Sequence, residues 1–277
     1  MKRKNSILWN FLLIVLCVLL FLLLTFFLVE NKRSEGAEQK DLEKIAQEHR
    51  TKNTTQSVSQ NGEEVMESDI KNVTGISCWG DEFLKRSDAV IYSYPAVLQE
   101  ILEENAYDIN VKSKTLGGGS TLSVMKMAGV SDDVLQDYVE SHQEAVGNAT
   151  PPITEVGIRD FTEEELIRED KDDIPIIFMG YYGGWNNDIE ELMEQQQRVL
   201  DTFEKNKEKF LIVGIPPANG LVSQENYDEE MQKRWGEHYM SGLKAALPNA
   251  VASYNGQKKI ADMIYEKLVD LKYIIKE

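Results

Sequence analysis

Two cysteines and three histidines are all that the 277 residues offer of the side chains that most often build disulfide frameworks or metal sites. Cys17 lies inside a long apolar run and Cys78 in a short apolar segment of the polar remainder. The two cannot pair, and their number implies no metal site. Cys78 reads as a small buried hydrophobe. Positive charge is also scarce: beyond residue 33, 25 Lys and Arg face 46 Asp and Glu, a net charge of −21 with no concentrated basic patch. Such a surface repels nucleic acid and anionic lipid. It either keeps an exposed domain soluble or offers an acidic face to a cationic partner. No repeat of solenoid type is present.

Long apolar runs are absent with one exception. Residues 7–29 are apolar apart from Asn10 and Thr25, enough for a bilayer-crossing helix at about 1.5 Å per residue. The run ends in Leu24-Thr25-Phe26-Phe27-Leu28-Val29 and meets Glu30 without small residues for a cleavage site, so the helix is expected to stay as an anchor. Cys17 lacks the small residue before it that a lipoprotein signal wants. Lys2, Arg3 and Lys4 make residues 1–6 a short basic tail, which places the N-terminus in the cytoplasm and the rest of the chain outside. Residues 30–72, rich in Glu, Lys, Gln, Asn, Ser and Thr, cannot bury enough apolar surface to fold and read as a flexible tether. Sequons at Asn53, Asn72 and Asn148 matter only in a eukaryotic secretory host.

Residues 73–277 carry the pattern of a single α/β layered domain with mainly parallel strands. Strands are predicted over 73–79, 109–114, 174–179 and 210–215, the last before Pro216-Pro217. A helix over 94–104 has Pro95 in its first turn. Asn187-Asp188-Ile189-Glu190 reads as a capping box opening a helix whose apolar face is Ile189, Leu192, Met193, Val199, Leu200 and Phe203. A last helix over 257–272 sets Ile260, Ala261, Ile264, Leu268 and Leu271 on one face. The stretch 129–173, with its acidic run Glu163-Glu164-Glu165, is the least regular and reads as an insertion.

Four glycine-bearing motifs fall in order along this domain: Cys78-Trp79-Gly80-Asp81-Glu82 at the first strand end, Gly117-Gly118-Gly119-Ser120 after the second, Gly180-Tyr181-Tyr182-Gly183-Gly184-Trp185-Asn186-Asn187 after the third, and the helix opening at Gly256. In order and spacing they resemble the SGNH (GDSL-type) hydrolases over nearly all of residues 73–277. The resemblance implies a flavodoxin-like three-layer sandwich, which here follows the single transmembrane helix expected over residues 7–29. It also implies a chemistry in which a serine attacks an ester carbonyl, a C-terminal Asp-x-x-His pair activates it, and a glycine amide with an asparagine side chain hold the oxyanion.

The catalytic parts of that pattern are missing. Glu82 stands where the family has its serine, and Ser87 and Ser93 lie past the turn that would present a nucleophile. A carboxylate nucleophile would imply another reaction with its own acid and base. Before the last helix the chain reads Pro248-Asn249-Ala250-Val251-Ala252-Ser253-Tyr254-Asn255-Gly256, without aspartate or histidine. The histidines lie elsewhere: His49 in the tether, His142 in the insertion, His238 beside Trp235. Gly118 could still offer its amide, but Tyr182 replaces the asparagine, with Asn186 the shifted alternative. The loss of such a donor costs an active hydrolase about 3–4 kcal/mol.

Asp81, Glu82, Gly118, Tyr182 and Asn186 thus mark a degenerate cleft, and the pattern calls for neither cofactor nor metal. The reading it favours is a membrane-anchored, extracytoplasmic pseudoenzyme that binds or scaffolds an envelope glycan, a peptide or a membrane-protein partner. Two other readings stand beside it: a divergent esterase or deacetylase of cell-surface carbohydrate using a non-standard site, and a purely structural ectodomain. Trp79, Tyr181, Tyr182 and Trp185, rimmed by acids and asparagines, either bind a ligand or plug the vacated cleft.

Overall fold

A computed structural model of the chain describes residues 75–204, 208–217, 219–244 and 251–276. Five parallel strands form one sheet: β1 (Gly75–Glu82), β2 (Asn110–Gly117), β3 (Ile174–Phe178), β4 (Leu211–Gly214) and β5 (Tyr239–Ser241). The spatial order is β2-β1-β3-β4-β5, the doubly wound order of flavodoxin. The helices are α1 (Arg86–Tyr92), α2 (Tyr94–Glu104), α3 (Thr121–Ala128), α4 (Asp132–Val146), the short α5 (Ile153–Val156), α6 (Ile189–Leu200), α7 (Gln224–Trp235) and α8 (Tyr254–Asp270).

Strand residues alternate between two apolar layers because successive side chains leave a strand on opposite faces. Ile76 and Cys78 of β1, Ile176 and Phe178 of β3, and Leu211 and Val213 of β4 pack with Leu98 and Leu102 of α2 and Ile260, Ile264 and Leu268 of α8. Trp79, Ile177 and Ile212 point the other way, onto Leu122 and Met125 of α3, Leu192 of α6 and Met231 of α7. A sheet apolar on both faces must be covered on both, which makes the domain three layers.

The helix over 94–104 stands as predicted, with Pro95 near its start. The predicted capping box shifts by one residue. Asp188 is the N-cap, its carboxylate accepting the Glu190 N–H, whereas Asn187 has a left-handed φ of 55°, outside the extended region an N-cap requires. The last helix begins at Tyr254 rather than 257, capped by the Ser253 hydroxyl on the Gly256 N–H. The stretch 129–173 contains the fifteen-residue α4, which the pattern did not mark. Its packed side, Val134, Leu135, Tyr138, Val139 and His142, is interleaved with acidic residues that mask it in the sequence.

Residues 165–173 cross back to the sheet on a buried polar node. Asp170 Oδ2 accepts the Ser77 hydroxyl at 2.6 Å and the Trp79 Nε1–H at 2.9 Å, and Arg168 Nε donates to Asp170 Oδ1 at 2.7 Å. The Arg168 guanidinium also lies 4.4 Å from the Trp79 ring centre and 4.7 Å from that of Phe203. Among the described residues no helix is long and apolar enough to cross a membrane. The run 7–29, the tether 30–72 and His49 lie outside the described residues.

Candidate functional site

In this strand order the chain reverses its winding between β1 and β3, and ligands of such sheets bind beyond the carboxyl ends of the strands at that point. Here β1 ends in Asp81-Glu82 and β3 leads into the loop from Gly180 to Asn187. The strands approach closely: a Cβ on Gly80, whose φ is +119°, would stand 2.0 Å from the Phe178 carbonyl oxygen. Only glycine fits there.

Asp81 is buried, and its Oδ2 accepts the Tyr181 N–H at 2.8 Å. Burial pushes its carboxyl up to about 8, against the opposing pull of the Tyr181 and Gly180 amides. The side chain therefore clamps the loop after β3 to the end of β1. Glu82, the next residue, is half-buried and spent on its surroundings. Its Oε1 accepts the Leu84 N–H at 2.9 Å and its Oε2 the Thr115 hydroxyl at 2.9 Å. Thr115 Oγ1 is in turn 3.0 Å from Ser113 Oγ.

Tyr182, expected at the place of an oxyanion donor, takes a different role. Its hydroxyl donates to the Glu82 carbonyl at 3.0 Å, and burial, with Asp81 adding to it, raises the phenol to about 12. Phe83, Tyr181 and Tyr182 pack together with centroid distances of 5.2, 6.0 and 5.2 Å, and Phe83 lies 5.1 Å from Phe178. This aromatic group joins the end of β1 to the loop after β3. Trp79 and Trp185, expected among the cleft aromatics, are fully buried instead: Trp79 under Arg168, and Trp185 with its Nε1–H on the Gly180 carbonyl at 2.7 Å.

The structure thus brings Asp81, Glu82 and Tyr182 together. Gly118 follows Gly117, the register partner of Glu82, and stands exposed with φ +67°. Asn186 belongs to a different cluster, where its backbone N–H donates to Glu155 Oε2 at 2.8 Å. That cluster also holds the buried His142, whose Nε2 is 2.6 Å from Glu191 Oε1 and whose Nδ1 is 2.6 Å from the Glu155 carbonyl. Burial opposes protonation of His142, but the bonds to Glu191 and Glu155 outweigh it and raise the pKa. His238 stacks on Phe210 at 4.1 Å, its Nδ1 2.7 Å from the Tyr273 hydroxyl. Neither ring is paired with Glu82. Ser93 donates to the Ala89 carbonyl at 2.6 Å, and Ser87 to Asp88 at 3.2 Å.

A cleft of about 870 Å³ opens beside Glu82 along β2, with Ser113, Thr115 and Gly117 on its floor and Arg159 and Glu165 on one wall. The pattern did not mark Ser113 and Thr115. Their one signal is alternation along a polar strand that lacks an apolar face of its own. Among the described residues no group of three or more His, Cys, Asp or Glu is placed to hold a metal ion.

No protein-family model matches the chain, and no curated protein matches it. Among solved structures the chain is similar to the psychrotrophic esterase EstA from Pseudoalteromonas sp., in a crystal structure inhibited by monoethylphosphonate. The identity is 12% and the TM-score 0.43, over 72% of this chain and 99% of that one.

Proposed function

We propose that this protein is a binding or scaffolding module: an SGNH-hydrolase-like sandwich without ester hydrolysis, held at the outer face of a cell membrane by residues 7–29. The observation that carries it is the state of Glu82. At the position of a nucleophile, its carboxylate is bound by the Leu84 N–H and the Thr115 hydroxyl, its carbonyl by Tyr182, and both described histidines are engaged elsewhere. A serine or carboxylate nucleophile needs a base that takes its proton or an acid that protonates the leaving group, and no imidazole is at hand. Without nucleophile, base and orienter, only residual rate enhancement of about a thousandfold to ten-thousandfold over water remains to such a site.

The test is hydrolysis of p-nitrophenyl acetate and of acetylated glycans by the full chain, beside Glu82→Ala and Glu82→Ser. No turnover by the native chain is the expected outcome. Turnover that Glu82→Ala abolishes would overturn it.

One observation favours the alternative, a divergent carbohydrate esterase. Ser113, Thr115 and Glu82 form a chain of hydrogen bonds of 3.0 and 2.9 Å at the edge of the cleft, which could pass the Ser113 proton to the carboxylate. Under that reading the native chain turns over substrate and Ser113→Ala removes the activity as completely as Glu82→Ala.

A further inference from the structure

Among the described residues β2 lies at the border of the sheet, with β1 on one side and no strand on the other. Along a strand, alternate residues turn their backbone N–H and C=O toward opposite neighbours. Val111 turns outward, because its N–H donates to Gln99 Oε1 at 2.6 Å. By alternation Ser113 and Thr115 turn outward too. Among the described residues no hydrogen bond reaches their backbone N–H groups.

The Gln99 side chain shows what this edge accepts. Besides taking the Val111 N–H, its Nε2 donates to the Ile109 carbonyl at 3.3 Å. One amide thus satisfies a donor and an acceptor two residues apart, as the N–H and C=O of a residue in an added parallel strand would. Beyond Gln99 the edge runs on into the 870 Å³ cleft, walled by Ala89, Val90 and Pro95 on one side and Arg159 and Glu165 on the other. Val90 is 77% exposed, and Ser113 is exposed as well.

We propose that the outer edge of β2 captures an extended polypeptide segment of another protein by strand addition, between Gln99 and Gly117. The inference rests on the reading of the domain as a binding module and names its ligand class.

Charge narrows the occupant. The lining is balanced, with Arg159 on Glu165 at 2.6 Å and Lys114 on the Ile167 carbonyl at 3.0 Å, while the whole chain carries −17. The segment that fits places small or apolar side chains in the cleft and basic residues on either flank, where the acidic surface draws them. A second copy fits badly. Two chains of −17 repel, and edge-to-edge pairing would bring Lys112 and Lys114 of both strands together.

The experiment titrates the full chain in detergent micelles into a fluorescent peptide of alternating valine and threonine between paired lysines. A matched peptide N-methylated at alternate residues keeps the side chains but loses the donors. A Gln99→Ala chain and a Ser113→Pro chain are titrated alongside, and amide hydrogen exchange reports on residues 111–117. Binding is expected, with protection at Ser113 and Thr115. It weakens by about tenfold or more on N-methylation and in Ser113→Pro, the scale of one or two lost hydrogen bonds. Gln99→Ala frees the Val111 N–H and the Ile109 carbonyl, and is expected to extend peptide-dependent protection to Val111.

Equal binding of the N-methylated peptide, or binding without protection at Ser113 and Thr115, overturns strand addition whether or not Ser113→Pro folds. If acetylated glycan oligomers bind and the peptide does not, this inference fails while the binding-module reading stands. If neither binds and esters are hydrolysed, both fail.

Discussion

Asp81 and His142 are buried groups whose proton affinities rise on folding, and both therefore make stability depend on pH in the same direction. For Asp81, folding moves the carboxyl from 3.8 to about 8. Its contribution is fully present below 3.8 and is lost as pH climbs toward 8, because the folded state then holds a proton that the unfolded chain has released. Asp81→Asn keeps an acceptor for the Tyr181 N–H and removes the titration. The expected outcome is a flatter plot of denaturation midpoint against pH over that window, with the variant gaining on the native chain by up to a few kcal/mol at the alkaline end. His142 is raised from 6.5, so its contribution is complete below that value and fades as pH rises through the folded-state value. His142→Gln is expected to cost about 1–3 kcal/mol below neutrality, and less above it. A double substitution with Glu191→Gln measures the coupling between them.

Residue identity also decided how far the site was legible. The motif that sets Glu82 where the resemblance expects a serine is local and was visible in the chain. That Tyr182 would bind the Glu82 carbonyl was not, because the two are 100 residues apart and meet only across β1 and β3. Trp79 was misassigned for a related reason. It shares a face of β1 with Asp81 but lies two residues further into the sheet, where Arg168 covers the indole.

Among the elements, β1 depends most on a distant partner. The Arg168–Asp170 pair fixes the segment before β3 to Ser77 and Trp79, with both charged side chains nearly inaccessible. Burial disfavours the Asp170 carboxylate, yet its bonds to Ser77, Arg168 and Trp79 prevail and hold its pKa below the usual range. Asp170→Ala strands the guanidinium and should lower stability by about 3–5 kcal/mol, measured by chemical denaturation. The contribution of Asp170 itself is present above 3.8 and lost as pH falls through its folded value. Helices followed their sequences unevenly. The helix at 94–104 and the amphipathic one at Ile189–Leu200 were legible because periodicity and start signals agree. The helix at Asp132–Val146 escaped notice because its packed residues, Val134, Leu135, Tyr138, Val139 and His142, are interleaved with Asp and Glu.

At the scale of the molecule, net charge and the proposed anchor each make a prediction. With −17 overall, the chain should bind basic peptides less tightly as ionic strength rises, because salt screens the attraction. Anisotropy titrations at low and physiological salt check it. Deleting residues 7–29 is expected to release the chain from the membrane fraction into the soluble fraction. Recovery of the deleted form in the pellet would count against the anchor.

The chain by itself determined the α/β alternation, the acidic surface, the apolar run and the absence of a serine and an Asp-x-x-His pair, since each depends on local composition or spacing. Only the tertiary structure decided that Asp81 is a loop clamp, that Glu82 is bound to Thr115, that Phe83 packs with Tyr181 and Tyr182, and that among the described residues β2 has no strand on its outer side. Those facts depend on which strands become neighbours. Neighbourhood in the sheet is set by packing both apolar faces at once, a condition no single stretch of sequence contains.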